Sequence, residues 1–389
     1  MKDLVRVLIA ILFFTSCQVR PDDDKEYFAR QKTLQAQLDI FLQNNPEVPG
    51  IVSSWRLKDN SLVQAASGYA DIELKERMST YHKMGVASNT KMMTATIILQ
   101  LQEEGKLKLN DPMRKYLPNV ITDNICVLNG ISYGNLITIR QLLKHTSGIY
   151  DFVDANFIKS TLYFPDKNYT PEDLLIYNVC AGRPYFIPGT AGKYHYSSTN
   201  YILLGMIIQK ITGQPFHSVL RDRIFTPLHM FNSSVWTYEQ PAAPLAAGYN
   251  NGVDISHNNL SWTWATGGVV SQADEMNLFI KTLFHGYFFK KRETLLAMMQ
   301  TTPESVDEYG YEYGLGIMKY NFGNGFIAYG HIGSLHGYNS ACFYLPLHDA
   351  SFFVGINRGN AQPFLFDLMG QCYSCVVANY VRKSIPHQR

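Results

Sequence analysis

Apolar and polar positions alternate in two different rhythms along this chain. Gly50–Arg56 and Leu62–Gly68 are short apolar runs flanking the turn Lys58-Asp59-Asn60, a pattern that predicts a β-hairpin. The same texture returns near the other end in Leu315–Tyr320, Phe326–His331, Tyr338–Leu345 and Ser351–Ile356. Gly323-Asn324-Gly325 and Pro346-Leu347-His348-Asp349 separate successive runs, and such short connections favour antiparallel neighbours.

The middle of the chain has a helical rhythm. Met92, Thr96, Ile97, Leu99 and Leu101 mark a helix that runs to Gly105. Thr138 caps a helix carrying Leu142 and Leu143, and Thr170-Pro171-Glu172-Asp173 supplies a cap, a first-position proline and first-turn acids. Tyr201, Leu204, Ile207, Ile208 and Ile211 define another helix, stopped by Gly213. Ser271 and Asp274 read as a cap and its N3 partner for a helix reaching His285-Gly286. Strands first, helices between and strands last predict an α+β fold. It is an α/β sandwich whose antiparallel sheet comes from both chain ends (36–105 and 265–389), with a mainly helical subdomain inserted over about 106–264.

Residues 1–16 read as an export signal. Lys2 and Arg6 precede the apolar stretch Val7–Phe14, which is too short to span a bilayer. Thr15-Ser16-Cys17 resembles a bacterial lipobox, which makes Cys17 the expected lipidation site, residues 17–35 a tether, and the chain a periplasmic or membrane-anchored lipoprotein. Composition adds limits. With 34 Lys+Arg against 32 Asp+Glu the net charge is +2, which leaves no basic footprint for nucleic acid. No run of eighteen apolar residues is present to form a spanning helix. The 25 Tyr and 22 Phe fit a large core with a Tyr-rich surface, or a groove lined with rings. Cys372 and Cys375 share one helical face and suit packing, while a Cys126–Cys180 pairing is left open.

Ser88-Asn89-Thr90-Lys91 is where chemistry begins. Ser88 stands where a helix cap would, but the partner three residues on is Lys91 rather than Glu or Gln. A first-turn cation opposes the helix dipole by roughly 0.3–1 kcal/mol, so Lys91 is badly placed for stability alone. It is well placed for catalysis. Residues three apart share a helix face at roughly 5–6 Å between β-carbons, and dipole and burial both lower a lysine pKa. Lys91 is therefore a candidate base for the Ser88 hydroxyl.

The phrase Gly85-Val86-Ala87-Ser88-Asn89-Thr90-Lys91-Met92, with Leu107–Pro112, Ile139-Arg140-Gln141-Leu142-Leu143-Lys144-His145-Thr146-Ser147-Gly148-Ile149, Tyr194–Gly205, Gly267–Ser271 and His331-Ile332-Gly333, resembles the serine β-lactamase and penicillin-binding protein superfamily. It is most similar to the class C β-lactamase and D-alanyl-D-alanine carboxypeptidase branch, over roughly residues 40 to 380. The resemblance implies a β-lactamase/transpeptidase-like catalytic domain over 36–389. Ser88 would be the nucleophile, and Tyr196 a proton relay kept useful as a phenolate by Lys91. Ser198 would stand in the place of the usual Asn of Tyr-x-Asn. His331 would bond Tyr196 or a substrate carboxylate, Gly333 would let substrate approach, and the Ser334 amide would join that of Ser88 in an oxyanion hole. Ser198 and Ile332 both depart from the family pattern and weaken the case for an acylamino or carboxylate-bearing substrate.

The resemblance implies an exported serine hydrolase that forms an acyl-enzyme with cell-wall D-alanyl peptides or β-lactams. Small esters are the second choice, and a penicillin sensor without turnover the rival. No metal or organic cofactor is implied, since His331 and His336 lack a third ligand at usable spacing. Expected partners are a small-molecule or peptide substrate and a membrane, reached through the lipid. Ser147 lacks a G-x-S-x-G elbow and reads as structural.

Overall fold

The computed structural model describes residues 21–239, 243–306, 310–322 and 326–378, so the expected signal 1–16 and Cys17 lie outside the described residues. Gly50–Arg56 pairs antiparallel with Leu62–Asp71 on one side and with Ala350–Ile356 on the other, Ser53 facing Ala65 and Val354. The two ends of the chain thus meet in one sheet. Its strand order is Glu312–Tyr313, Met318–Asn321, Ile327–Leu335, Tyr338–Leu345, Ala350–Ile356, Gly50–Arg56, Leu62–Asp71 and Glu76–Arg77. This is the mixed helix and antiparallel-sheet architecture that the patterning predicts.

Strand alternation feeds two cores. Ile51 and Trp55 face one side, where Trp55 stacks on Phe352 at 4.5 Å, while Val52 faces the other. The first side is covered by the helices Pro21–Asn44 and Gln362–Tyr373, through Leu34, Leu38, Phe41, Leu365 and Leu368. The tether expected over 17–35 is therefore helical from Pro21 onward. Leu34, Leu38 and Phe41 form a buried stripe that the run Asp22-Asp23-Asp24-Lys25 masks in the sequence. This helix also protects a sheet edge. The Gln64 amide donates to Gln31 Oε1 at 3.0 Å, and Gln35 Nε2 donates to the Ala66 carbonyl at 3.0 Å, satisfying backbone groups of Leu62–Asp71.

The second side carries Thr90–Glu103 and Ala273–Phe284. Thr90 through Leu99 are all buried, so the first of these is a core helix. The cap assigned to Ser271 is not made. Ser271 ends the buried strand Val269–Ser271 and its hydroxyl bonds Ser233 Oγ at 2.7 Å, while Asp274 pairs with Arg56. The other helix signals hold. Thr138 and Thr170 form capping boxes with Gln141 and Asp173, and Gly213 closes Thr199–Thr212 at φ 69°. Cys126 and Cys180 are free thiols, one buried and one exposed, and Cys372 and Cys375 are buried in the core. No helix among the described residues is long and apolar enough to cross a membrane.

Candidate active site

Ser88 occupies a single 3₁₀ turn, Ala87–Asn89, ahead of the helix Thr90–Glu103, and its side chain caps nothing. Between Val86 and Leu99 it is the one residue that is not buried. The turn is strained and held in place. Ala87 sits at φ 50°, a left-handed conformation that costs an L-residue with a β-carbon roughly 1–2 kcal/mol. Asn89 Nδ2 donates to the Val86 carbonyl at 3.0 Å and to Ser340 Oγ at 2.9 Å, and Ser340 Oγ donates to the same carbonyl at 2.8 Å. The Val86 amide bonds the Val269 carbonyl at 3.0 Å.

Lys91 is fully buried one helical turn on. Its Nζ donates to Ser88 Oγ at 3.0 Å and to the Thr266 carbonyl at 2.8 Å. Burial lowers its pKa to about 7, against a smaller opposing pull from the Asp151 carboxylate. Burial, more than the helix dipole invoked from sequence, thus makes Lys91 a base near neutral pH.

Tyr196 completes the group: Lys91 Nζ lies 4.9 Å from the centre of its ring, and the Ser88 hydroxyl is near enough to favour the ionised phenol. The expected phenolate is not supported. Burial drives the Tyr196 hydroxyl well above its ordinary range, and the nearby Ser88 hydroxyl offsets this only in part. Lys91 sits over the ring face and is bonded to Ser88 and Thr266, so Tyr196 rests as a neutral phenol that can pass a proton on.

The segment His145–Asp151 grips the Tyr196 loop. The His195 amide donates to the His145 carbonyl at 3.1 Å, and the Ser197 amide and Asn200 Nδ2 donate to His145 Nδ1, both at 3.1 Å. Ser147 Oγ donates to Asn200 Oδ1 at 2.7 Å, and Ser197 Oγ and Thr199 Oγ1 donate to the Tyr150 carbonyl at 3.1 and 2.7 Å. Ser147 is thus structural, as read from sequence. The His145 ring lies 4.3 Å from that of Tyr196, with its backbone at φ 57°.

Asp151, not singled out in the sequence, accepts the Ser198 amide at 3.0 Å and the Val153 amide at 3.1 Å. Burial raises its carboxyl to about 6, partly offset by the Val153 and Ser198 amides and by Lys91. Asp151→Asn keeps an acceptor but removes the charge that raises the Lys91 pKa. The acidic limb of kcat/KM should move to lower pH, and kcat should fall about tenfold as the loop loosens. A pH–rate profile of the variant checks both.

His331 differs from expectation. It is fully buried, its Nε2 accepts from Tyr313 Oη at 3.0 Å, and its Nδ1 donates to the Ile332 carbonyl. Its ring is 6.2 Å from that of Tyr196, and none of its hydrogen bonds goes to that phenol. Burial, reinforced by Lys91, drives its pKa down to about 3, so it is a neutral support for the Tyr313 wall and is not open to a substrate carboxylate.

Gly333 also has a different task. A β-carbon there would lie 2.4 Å from the Val86 carbonyl oxygen and 3.0 Å from the Ala87 β-carbon, so the glycine admits the nucleophile turn rather than substrate. Gly333→Ala should push that turn aside, costing about 1–3 kcal/mol of stability in thermal unfolding and slowing acylation. Ser334 is exposed on the edge of Ile327–Leu335, which Met318–Asn321 covers only up to Gly330. Ser198 is 7% exposed at the start of Thr199–Thr212 and makes no side-chain cap.

The family model described as Beta-lactamase matches residues 39–368. A D-stereospecific amidohydrolase from Streptomyces sp. is 30% identical with a TM-score of 0.75, over 90% of this chain and 99% of that one. The D-amino acid amidase from Ochrobactrum anthropi SV3, complexed with D-phenylalanine, is 25% identical with a TM-score of 0.78, over 90% of this chain and 99% of that one. PbpX of Bacillus subtilis (strain 168) is 29% identical over 248 residues, 62% of this chain but only 56% of that protein's length.

Proposed function

This chain belongs to the β-lactamase family, and we propose that within it the chain is a hydrolase of amide bonds next to a D-amino acid residue, working through an acyl-enzyme on Ser88. The observation that carries this reading is the meeting at Ser88: a buried lysine amine 3.0 Å from its oxygen, with the Tyr196 ring centre 4.9 Å from that same amine.

Neutral Lys91 takes the Ser88 proton as Oγ attacks the carbonyl. The amides of Ser88 and Ser334 hold the oxyanion, each donor contributing about 3 kcal/mol. Tyr196 hands a proton to the departing amine and is reprotonated from Lys91, whose ammonium carries the proton taken from Ser88. Water then attacks the ester, with Lys91 and Tyr196 as base and relay, and Ser88 is released. The preference for D-aminoacyl amides draws on the names of the two solved relatives.

A second reading, ester hydrolysis, is favoured by Ser198 and Ile332, which remove two polar contacts that would hold a peptide-like substrate. A substrate panel on residues 18–389 tests both: D-phenylalanine amide, a D-Ala-D-Ala peptide, a chromogenic cephalosporin and p-nitrophenyl esters. The D-amide and the peptide should turn over fastest, and turnover confined to the esters would select the second reading.

Export with lipid attachment at Cys17 belongs to the same proposal. It is checked by palmitate labelling in cells, which Cys17→Ser should abolish.

A further inference from the structure

A second pocket lies on the three-stranded sheet just upstream of the nucleophile. In that sheet Val269–Ser271 pairs with Met84–Gly85 on one side and Ser234–Val235 on the other, Val270 standing between Gly85 and Ser234. Lys83 extends the Met84–Gly85 strand and bridges Leu245. Side chains alternate across a sheet and bridge partners share a face, so Lys83, Leu245, Val270 and Ser234 project to one side. On that side lies a cavity of about 530 Å³ walled by Trp236, with Leu245, Val270 and Ser234 among its lining.

Two polar atoms on this face have no partner among the described residues. Ser234 is 3% exposed and Lys83 0%, yet among the described residues neither Ser234 Oγ nor Lys83 Nζ has a hydrogen-bond partner. Buried donors are normally paired, and an unpaired buried ammonium is the most expensive kind to leave so. The nearby acids do not bond it. Glu275 attracts Lys83 electrostatically, but its oxygens accept from the Asn232 amide at 2.9 Å and from Ser233 Oγ at 2.6 Å. Glu239, on the pocket wall, is taken up by Arg221 Nε at 2.6 Å and the Val235 amide at 3.2 Å. Asp166 lies on the exposed rim.

We propose that this pocket binds a small carboxylate carrying an apolar tail. The carboxylate is held by Lys83 Nζ, with Ser234 Oγ as a second donor, and the tail lies against Trp236, Leu245 and Val270. Lys83 does not itself line the cavity, so its flexible stem must turn toward Ser234, which does. The site is separate from the Ser88 group and does not depend on the reaction proposed for it.

The test is a fluorescence titration of the full chain with 4-methylpentanoate and with its neutral amide, 4-methylpentanamide. The carboxylate should shift tryptophan emission saturably, and Trp236→Phe should remove the change. Lys83→Met should weaken binding about tenfold or more, as expected when a charged donor is lost. Ser88→Ala should bind as the parent does, whatever becomes of hydrolysis. Ser234→Ala, with a smaller loss, decides the matter if Lys83→Met does not fold. No saturable shift, equal binding of the amide, undiminished affinity in the lysine or serine variant that folds, or loss of binding in Ser88→Ala would each overturn the proposal.

Discussion

Ser88→Ala is expected to leave a folded protein whose turnover of its best substrate falls by about 10⁴-fold or more, since removal of a nucleophile takes with it the work of the groups arranged around it. Ser88 is the one residue of its turn that is not buried, Lys91 Nζ lies 3.0 Å from its oxygen, and the centre of the Tyr196 ring is 4.9 Å from that amine. The substitution removes one oxygen and leaves the Asn89, Ser340 and Val269 hydrogen bonds around Val86 intact. Its melting temperature should stay close to the parent's. Steady-state kinetics beside thermal unfolding measures both, and substantial residual turnover in a well-folded variant would remove Ser88 from the mechanism.

Lys91→Met should have effects of opposite sign on rate and stability. Loss of the base should cost about 10²–10⁴-fold in kcat/KM. In the parent, kcat/KM should climb as pH rises through about 7, because the neutral amine is the active form. Stability should increase in the variant, because a fully buried amine is replaced by an apolar chain of similar volume.

The pH dependence of that gain follows from linkage. The folded pKa is lowered from 10.5 to about 7. Below about pH 7 both folded and unfolded states carry the proton and the cost of burying the charge is present in full. Between about pH 7 and 10.5 the unfolded chain binds more protons than the folded one, so the parent gains stability as pH rises. The advantage of Lys91→Met should therefore be largest below pH 7 and fade toward 10.5, which melting curves across pH will show. A variant less stable at every pH would mean that Lys91 is a structural cation.

What could be read from the residues was what is local. Ser88 and Lys91 are one helical turn apart, so their meeting follows from helix geometry, and the strand runs at the two chain ends carry their own period. The Tyr196 loop was legible as a phrase, but not its fastening to His145–Asp151, which depends on packing between segments about fifty residues apart. The left-handed backbone at Ala87 has no sequence signal, because alanine does not favour it. His331 was read toward the cleft from the family resemblance of His331-Ile332-Gly333, and a motif gives a place in the chain but no depth. The packing of Tyr313 against it decides that it is a buried acceptor. The Thr266 carbonyl that anchors Lys91 is backbone, which a side-chain pattern does not reveal.

The central claim is that a substrate acyl group passes through Ser88. Intact-mass analysis after brief reaction with a penicillin or a fluorophosphonate, followed by peptide mapping, tests it most directly. A single adduct on the peptide holding Ser88, absent in Ser88→Ala, is the result this account requires; an adduct carried by Ser147, Ser198 or Ser334 instead would contradict it.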